Sequence, residues 1–93
     1  MIYKVFAIKD RALDTFSAPF TQATIESGLR MWREMVMFQE ESNRYRRSPE
    51  DYSLYCVGTY NDETARMESE MPARISSATE ILAESLKDMT DVT

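Results

Sequence analysis

The stretch Ser48-Pro49-Glu50-Asp51-Tyr52-Ser53-Leu54-Tyr55-Cys56-Val57-Gly58-Thr59-Tyr60-Asn61-Asp62 constrains the fold of this chain more than any other segment. A proline and two acids open it, aromatic and aliphatic residues alternate through it, and Asn-Asp closes it as a turn. The pattern predicts a strand from about Tyr52 to Tyr60. Because side chains alternate across a strand, Tyr52, Leu54, Cys56, Gly58 and Tyr60 are expected on one face, and Ser53, Tyr55, Val57 and Thr59 on the other.

A second strand is expected at the start of the chain, over Ile2 to Ile8, with Tyr3, Val5 and Ala7 on one face and Ile2, Phe6 and Ile8 on the other. Both faces are largely apolar, which suits a central position, although an edge position also satisfies the pattern. Residues 9–20 read as a connection ending in Ala18-Pro19-Phe20, with Thr21 as a helix N-cap. From Thr21 to about Ser42 the period turns helical, with Ile25, Leu29, Trp32 and Val36 forming an apolar stripe. Gly28 weakens that helix by roughly 1 kcal/mol relative to alanine, a cost that a close approach to the sheet would explain. Asn43 to Pro49 reads as a polar, basic loop. After the Asn61-Asp62-Glu63-Thr64 turn, Ala65 to Glu68 returns as a short strand, and Pro72 breaks the chain before a last helix. Ser77 and Glu80 have capping-box spacing there, and Ile75, Ala78, Leu82, Leu86 and Met89 form the expected buried stripe, with Thr90 to Thr93 fraying.

The expected architecture is therefore α+β, a small sheet of about three strands with two helices in the order β-α-β-β-α. The 93 residues make a single domain, 1–93. Three strands leave open sheet edges, and seven methionines add apolar surface, so a homodimer is the preferred state. No run approaches the roughly 18 apolar residues that a membrane span requires. Lys4 interrupts the N-terminal apolar stretch, and the single Cys56 cannot form an internal disulfide, so a cytoplasmic protein is expected.

Chemistry is limited by what is missing. The chain has no histidine, the commonest general base and metal ligand. Cys56 thus lacks a histidine partner and reads as a buried apolar thiol. Gly28 and Gly58 are the only glycines, too few and too distant for a phosphate-binding loop. The carboxylates Glu68, Glu70, Glu80, Glu84 and Asp88 read as a solvated helix face and turn. Neither an enzyme, a metal nor a cofactor is expected.

Binding chemistry is concentrated in one place. Arg44, Arg46 and Arg47 flank Tyr45, so three guanidiniums that can grip phosphates stand beside a ring that can stack on a base. Arg30 and Arg33 extend the stripe if their helix presents that side. The plainer alternative is equally open: these cations complement the helix C-terminus and neutralise Glu40, Glu41, Glu50 and Asp51. Core packing is the expected role of Trp32 and Tyr52. Tyr55, on the second face of its strand, is the aromatic placed to stack bases as RNA-binding sheets do, with Tyr3 beside it if the two strands are neighbours.

Three segments resemble the nonstructural DNA-binding protein of gokushovirus-type microviruses, small phages with single-stranded DNA. They are Tyr3-Lys4-Val5-Phe6-Ala7-Ile8-Lys9-Asp10 with Phe16 and Ala18-Pro19-Phe20; Pro49-Glu50-Asp51-Tyr52 with Leu54 and Gly58-Thr59-Tyr60-Asn61-Asp62; and Pro72-Ala73-Arg74-Ile75 with Ala78. The resemblance implies a protein made in the infected bacterium, in the host cytoplasm, and absent from the particle. It implies binding of single-stranded DNA during genome replication or packaging. Pro49, Glu50, Asp51, Tyr52, Gly58 and Asp62 read as fold determinants, not as binding residues. The chain departs from the family pattern after Asp62, where Glu63-Thr64-Ala65 replaces an expected Thr-Gly.

Charge favours a competing function. Residues 1–50 carry eight Lys/Arg against seven Asp/Glu, whereas residues 51–93 carry three against nine, for a net charge of −5 overall. Dedicated nucleic-acid binders are usually basic. The alternative is a protein-interaction factor whose acidic C-terminal half contacts a phage replication or capsid protein, without direct DNA binding.

Overall fold

The structure, a computed structural model, describes residues 1–90, the last three by backbone only. The fraying expected at the extreme C-terminus and the side chain of Met89 lie outside the described residues. The chain forms a curled, antiparallel, five-stranded sheet, a half-barrel, with helices on one face. Its elements are strands β1 (Ile2–Asp10), β2 (Thr15–Phe16) and β3 (Phe20–Gln22), helices α1 (Ile25–Met37) and α2 (Arg44–Arg47), a 3-10 turn (Pro49–Asp51), strands β4 (Tyr52–Asn61) and β5 (Arg66–Ser77), and helix α3 (Ala78–Thr90). The expected three-stranded β-α-β-β-α arrangement is corrected: the protein is mostly sheet, with α1 and α3 as its two substantial helices. Among the described residues no helix is long and apolar enough to cross a membrane.

β1 is central. β4 pairs along one edge, and both β2 and β3 pair along the other, giving the order β2-β1-β4-β5 with β3 beside β2. This explains its two apolar faces, since Val5, Phe6, Ala7 and Ile8 are all buried. The segment expected to be a plain connection supplies β2 and β3. Asp10 Oδ1 accepts from the Ala12 and Leu13 amides at 3.0 and 3.3 Å, turning the chain back, and Ser17 extends the pairing through its amide and hydroxyl to Ile8.

The second correction concerns β4. Val5 pairs with Gly58 and Phe6 with Cys56, so Val57 is an unpaired bulge residue. Beyond it the alternation is reversed: Tyr60 lies opposite Tyr3, on the face of Tyr55 and not on that of Leu54 and Cys56. Gly58 makes the bulge possible, because a Cβ there would collide with the carbonyl oxygen of Glu68 on β5.

β5 is far longer than the expected Ala65 to Glu68, and Pro72 lies within it. Pairing jumps from Gly58–Ser69 to Cys56–Ala73, leaving residues 70–72 outside the ladder. An edge strand with a break in its ladder accommodates a residue that has no amide hydrogen. At the hairpin tip Ala65 has φ 59°, the left-handed region that glycine adopts most readily.

α1 starts later than expected. Thr24, not Thr21, caps it: Thr24 Oγ1 accepts from the Ser27 amide and Ser27 Oγ accepts from the Thr24 amide, each at 3.0 Å. Its stripe points at the sheet, with Trp32 and Val36 fully buried and Ile25 and Leu29 packed around them. Gly28 lies against the Phe6 ring, and a Cβ there would fall 2.6–2.8 Å from two ring carbons. α3 begins with the expected Ser77/Glu80 box. Ile81 takes the core position beside Ala78, whereas Leu86, expected to be buried, is exposed. Phe6, Ile8, Leu54 and Cys56 from the sheet complete the core with Trp32, Val36, Ala78 and Ile81 from the helices.

Candidate nucleic-acid interface

The basic segment after α1 is a helical turn, not a loop. Asn43 builds it. Its Nδ2 donates to the carbonyls of Met35 and Phe38 at 2.9 and 2.8 Å, closing α1, while its Oδ1 accepts from the Tyr45 amide at 3.2 Å and opens α2. One side chain thus caps two helix ends. Tyr45, expected as an exposed stacking ring, is turned inward instead: it meets Trp32 edge-on at 5.3 Å and Tyr52 at 5.0 Å. Burial pushes the Tyr52 phenol up from its ordinary value; Asp10 adds to this and Arg44 opposes it.

With Tyr45 as the anchor, Arg44, Arg46 and Arg47 stand in solvent. Arg46 Nη1 donates to the Met37 carbonyl at 3.2 Å, and none of the three forms an ion pair among the described residues. Glu40 and Glu41 share a cleft with Arg46 and Arg47 without ion-pairing to them, and Asp51 pairs with Arg11 at 3.2 Å. Arg46 thus meets the C-terminal end of α1, as the plainer reading expected, while no ion pair joins the cluster to Glu40, Glu41, Glu50 or Asp51 among the described residues. Arg30 and Arg33 are differently placed. Arg30 lies 3.9 Å from Glu34 on its own helix, and Arg33 braces α1 to α3 through Glu84 at 3.2 Å.

Tyr55 is on the other side of the molecule. Leu54 and Cys56 point into the helix-covered core, so Tyr55 faces away from it. Its ring meets Phe16 of β2 edge-on at 5.4 Å, and Lys9 Nζ stands 5.5 Å from the Phe16 centroid. The structure therefore groups Arg44, Arg46 and Arg47, sets Arg30 and Arg33 into ion pairs, and places Tyr55 on the opposite face of the sheet.

The model for the family described as Phage ORF5 protein matches residues 3–81. The chain belongs to this family. It is thus a bacteriophage protein, and the matched region runs from Tyr3 in β1 through β2 to β5, α1 and α2 to the start of α3. No curated protein and no solved structure matches it.

On this phage chain, the face that carries Tyr55 was largely missed from the sequence. Register pairs Ala7 with Tyr55 and Tyr3 with Tyr60, and it places Phe16 opposite Lys9 and Arg74 opposite Tyr55. Tyr3 lies on Tyr55's face, as the two-strand reading allowed. Tyr60 was assigned to the wrong face because the bulge is silent in the alternation, and Phe16 was missed with its strand. Arg74 Nη2 donates to Glu80 Oε1 at 2.7 Å, which holds the Glu80 carboxyl below its ordinary value.

Proposed function

We propose that this phage protein is a nonstructural, single-stranded-DNA-binding protein of a gokushovirus-type microvirus, acting in the host cytoplasm during genome replication or packaging. The observation that carries this reading is the α2 turn: three exposed arginines that form no ion pair among the described residues, on a turn held in place by Tyr45 and Asn43. In a chain with net charge −5, such a cluster is a local phosphate site within a surface that otherwise repels phosphate. If Arg44, Arg46 and Arg47 each neutralise one phosphate, the log–log salt slope for a single strand is about −2 per chain. A homodimer gripping one strand would double it. Arg46→Ala with Arg47→Ala should weaken binding and flatten the slope by about 1.4 per chain. An unchanged slope would remove α2 from the site.

One observation favours the protein-interaction reading. The β4–β5 hairpin is exposed from residue 62 to residue 74 and carries Asp62, Glu63, Glu68 and Glu70. A phage replication or capsid protein with a basic surface is the partner it suits. Deleting residues 77–93 cannot test this, because Ala78 and Ile81 are part of the core. Glu68→Gln with Glu70→Gln leaves the core intact, and capture unaffected by that pair would remove the hairpin as the contact surface.

A further inference from the structure

The sheet face opposite the helices has no second layer over it, and its centre is apolar. Register sets three rows across it: Tyr3, Tyr60 and Met67; Val5, Gly58 and Ser69; Ala7, Tyr55 and Arg74. Val5 and Ala7 form a buried floor, the tyrosines are half-buried, and Phe16 and Met67 protrude, 44% and 59% exposed. Charge is kept to the borders and compensated within the chain, because Lys9 is held by Asp14 at 3.5 Å and Arg74 by Glu80 at 2.7 Å. Glu68 pairs with Thr59, and Thr59 with Lys4, so the Glu68 side chain belongs to the helix side of the sheet. Glu70 stands at the β5 edge, where the ladder is broken. An anionic strand thus meets no uncompensated cation on this face among the described residues.

We infer that this face is the contact between two copies of the chain, a symmetric sheet-on-sheet interface that does not depend on the function proposed above. Interface centres are depleted of charge and enriched in tyrosine, phenylalanine and methionine, with polar groups at the rim, and this face has that composition. Two copies can meet through it without burying an unpaired charge. Shape agrees. Phe16 projects at the Lys9 end, and a cleft of about 410 Å³ opens towards the other end, bounded by Val5, Pro19, Val57, Gly58 and Met67. A two-fold axis lying in the contact and running across the strands sets the Phe16 of each copy over the cleft of the other, with the two sheets face to face.

Area sets the strength. From Tyr3 to Lys9 β1 rises roughly 20 Å, and the path β2-β1-β4-β5 is roughly 19 Å wide. That is about 400 Å² of sheet in plan per copy, and the protruding side chains raise the accessible area, so the pair buries on the order of 1,000 Å². This is the lower limit of a specific contact, and it gives a reversible dimer populated at roughly micromolar concentrations. Tyr45 anchors α2 on the helix side, so the α2 arginines stay outside the contact in both copies.

The test is sedimentation velocity of the full chain across micromolar concentrations, with amide chemical shifts followed over the same dilution. Wild type should pass from monomer to dimer as concentration rises, and the amides that shift should cluster at Tyr3, Tyr55, Val57 and Tyr60. Phe16→Glu with Met67→Glu, at positions exposed in the single chain, should stay monomeric with an unchanged circular dichroism spectrum. Met67→Glu alone should weaken the dimer about tenfold. Leu86→Glu, on the exposed side of α3, should leave the dimer intact. A wild-type chain that stays monomeric throughout would overturn the assignment, as would a dimer that Phe16→Glu with Met67→Glu leaves intact or that Leu86→Glu dissociates. So would a monomer that binds oligothymidine and loses it in the Phe16/Met67 variant, because nucleic acid would then occupy the face.

Discussion

Single residues decide how closely the layers of this protein approach. Gly28 lets α1 rest on the Phe6 ring, and Phe6 is fully buried, so the ring has nowhere to retreat. Gly28→Ala gains up to about 1 kcal/mol in helix propensity. Overpacking a well-filled core costs about 1–3 kcal/mol. The net expectation is destabilisation of about 1–2 kcal/mol, read as a lower urea midpoint with an unchanged m-value; a stabilised variant would show that the two layers are less tightly packed than described. The glycine was visible in the sequence as a cost without a cause, and the neighbouring ring supplies the cause. Ala65 is the reverse case. Its left-handed backbone occupies the turn whose glycine was expected and missing, so the turn survives with some strain.

Among the elements, α2 and α3 show how short-range chemistry positions charged side chains. Asn43 closes α1 and opens α2, and its replacement by alanine leaves carbonyls at one helix end and an amide at the other without a side-chain partner. Asn43→Ala is expected to cost about 1–2 kcal/mol and to weaken single-strand binding, because α2 then loses its fixed orientation. Full affinity in the variant would show that the arginines need no such support. At α3, the Arg74 guanidinium holds Glu80 below its ordinary carboxylate value of 4.5. A carboxylate depressed on folding contributes stability that is complete above its unfolded value and is lost as pH falls through the folded one. Wild type should therefore melt above Glu80→Gln at neutral pH, and the gap should close in acid; the contribution is small because both groups are half exposed. A gap that widened in acid would contradict the pairing.

Legibility also divided along element lines. β1, β4, the turn after Asn61 and the Ser77/Glu80 cap were legible because each has a local pattern: apolar alternation, turn residues or capping spacing. β2 and β3 were not, since Thr15–Phe16 and Phe20–Gln22 are too short to show a period. β5 was cut short because its outer half is polar, exposed on both sides and interrupted by Pro72. Of the candidate site, the arginine cluster was legible as composition. The inward turn of Tyr45 and the bulge that brings Tyr60 beside Tyr3 depend on pairing and packing, which alternation alone does not encode.

At the scale of the whole molecule, the sheet separates two chemistries. Its helix side carries the α2 arginines, and its open side carries the rings of Tyr3, Tyr55, Tyr60 and Phe16. The acidic hairpin projects beyond both, and the molecule is correspondingly elongated, 49 × 31 × 22 Å. With a net charge of −5, the arginine cluster of α2 is the surface that should carry the phosphate contacts of the proposed function. The most direct test is a titration of the wild-type chain into a fluorescent single strand of ~30 nucleotides and into the matching duplex, at low and near-physiological salt. Binding that prefers the single strand, with a log–log salt slope of about −2 per chain, is the predicted result. No binding to the single strand at low salt would contradict the account and leave the acidic hairpin as the surface to pursue.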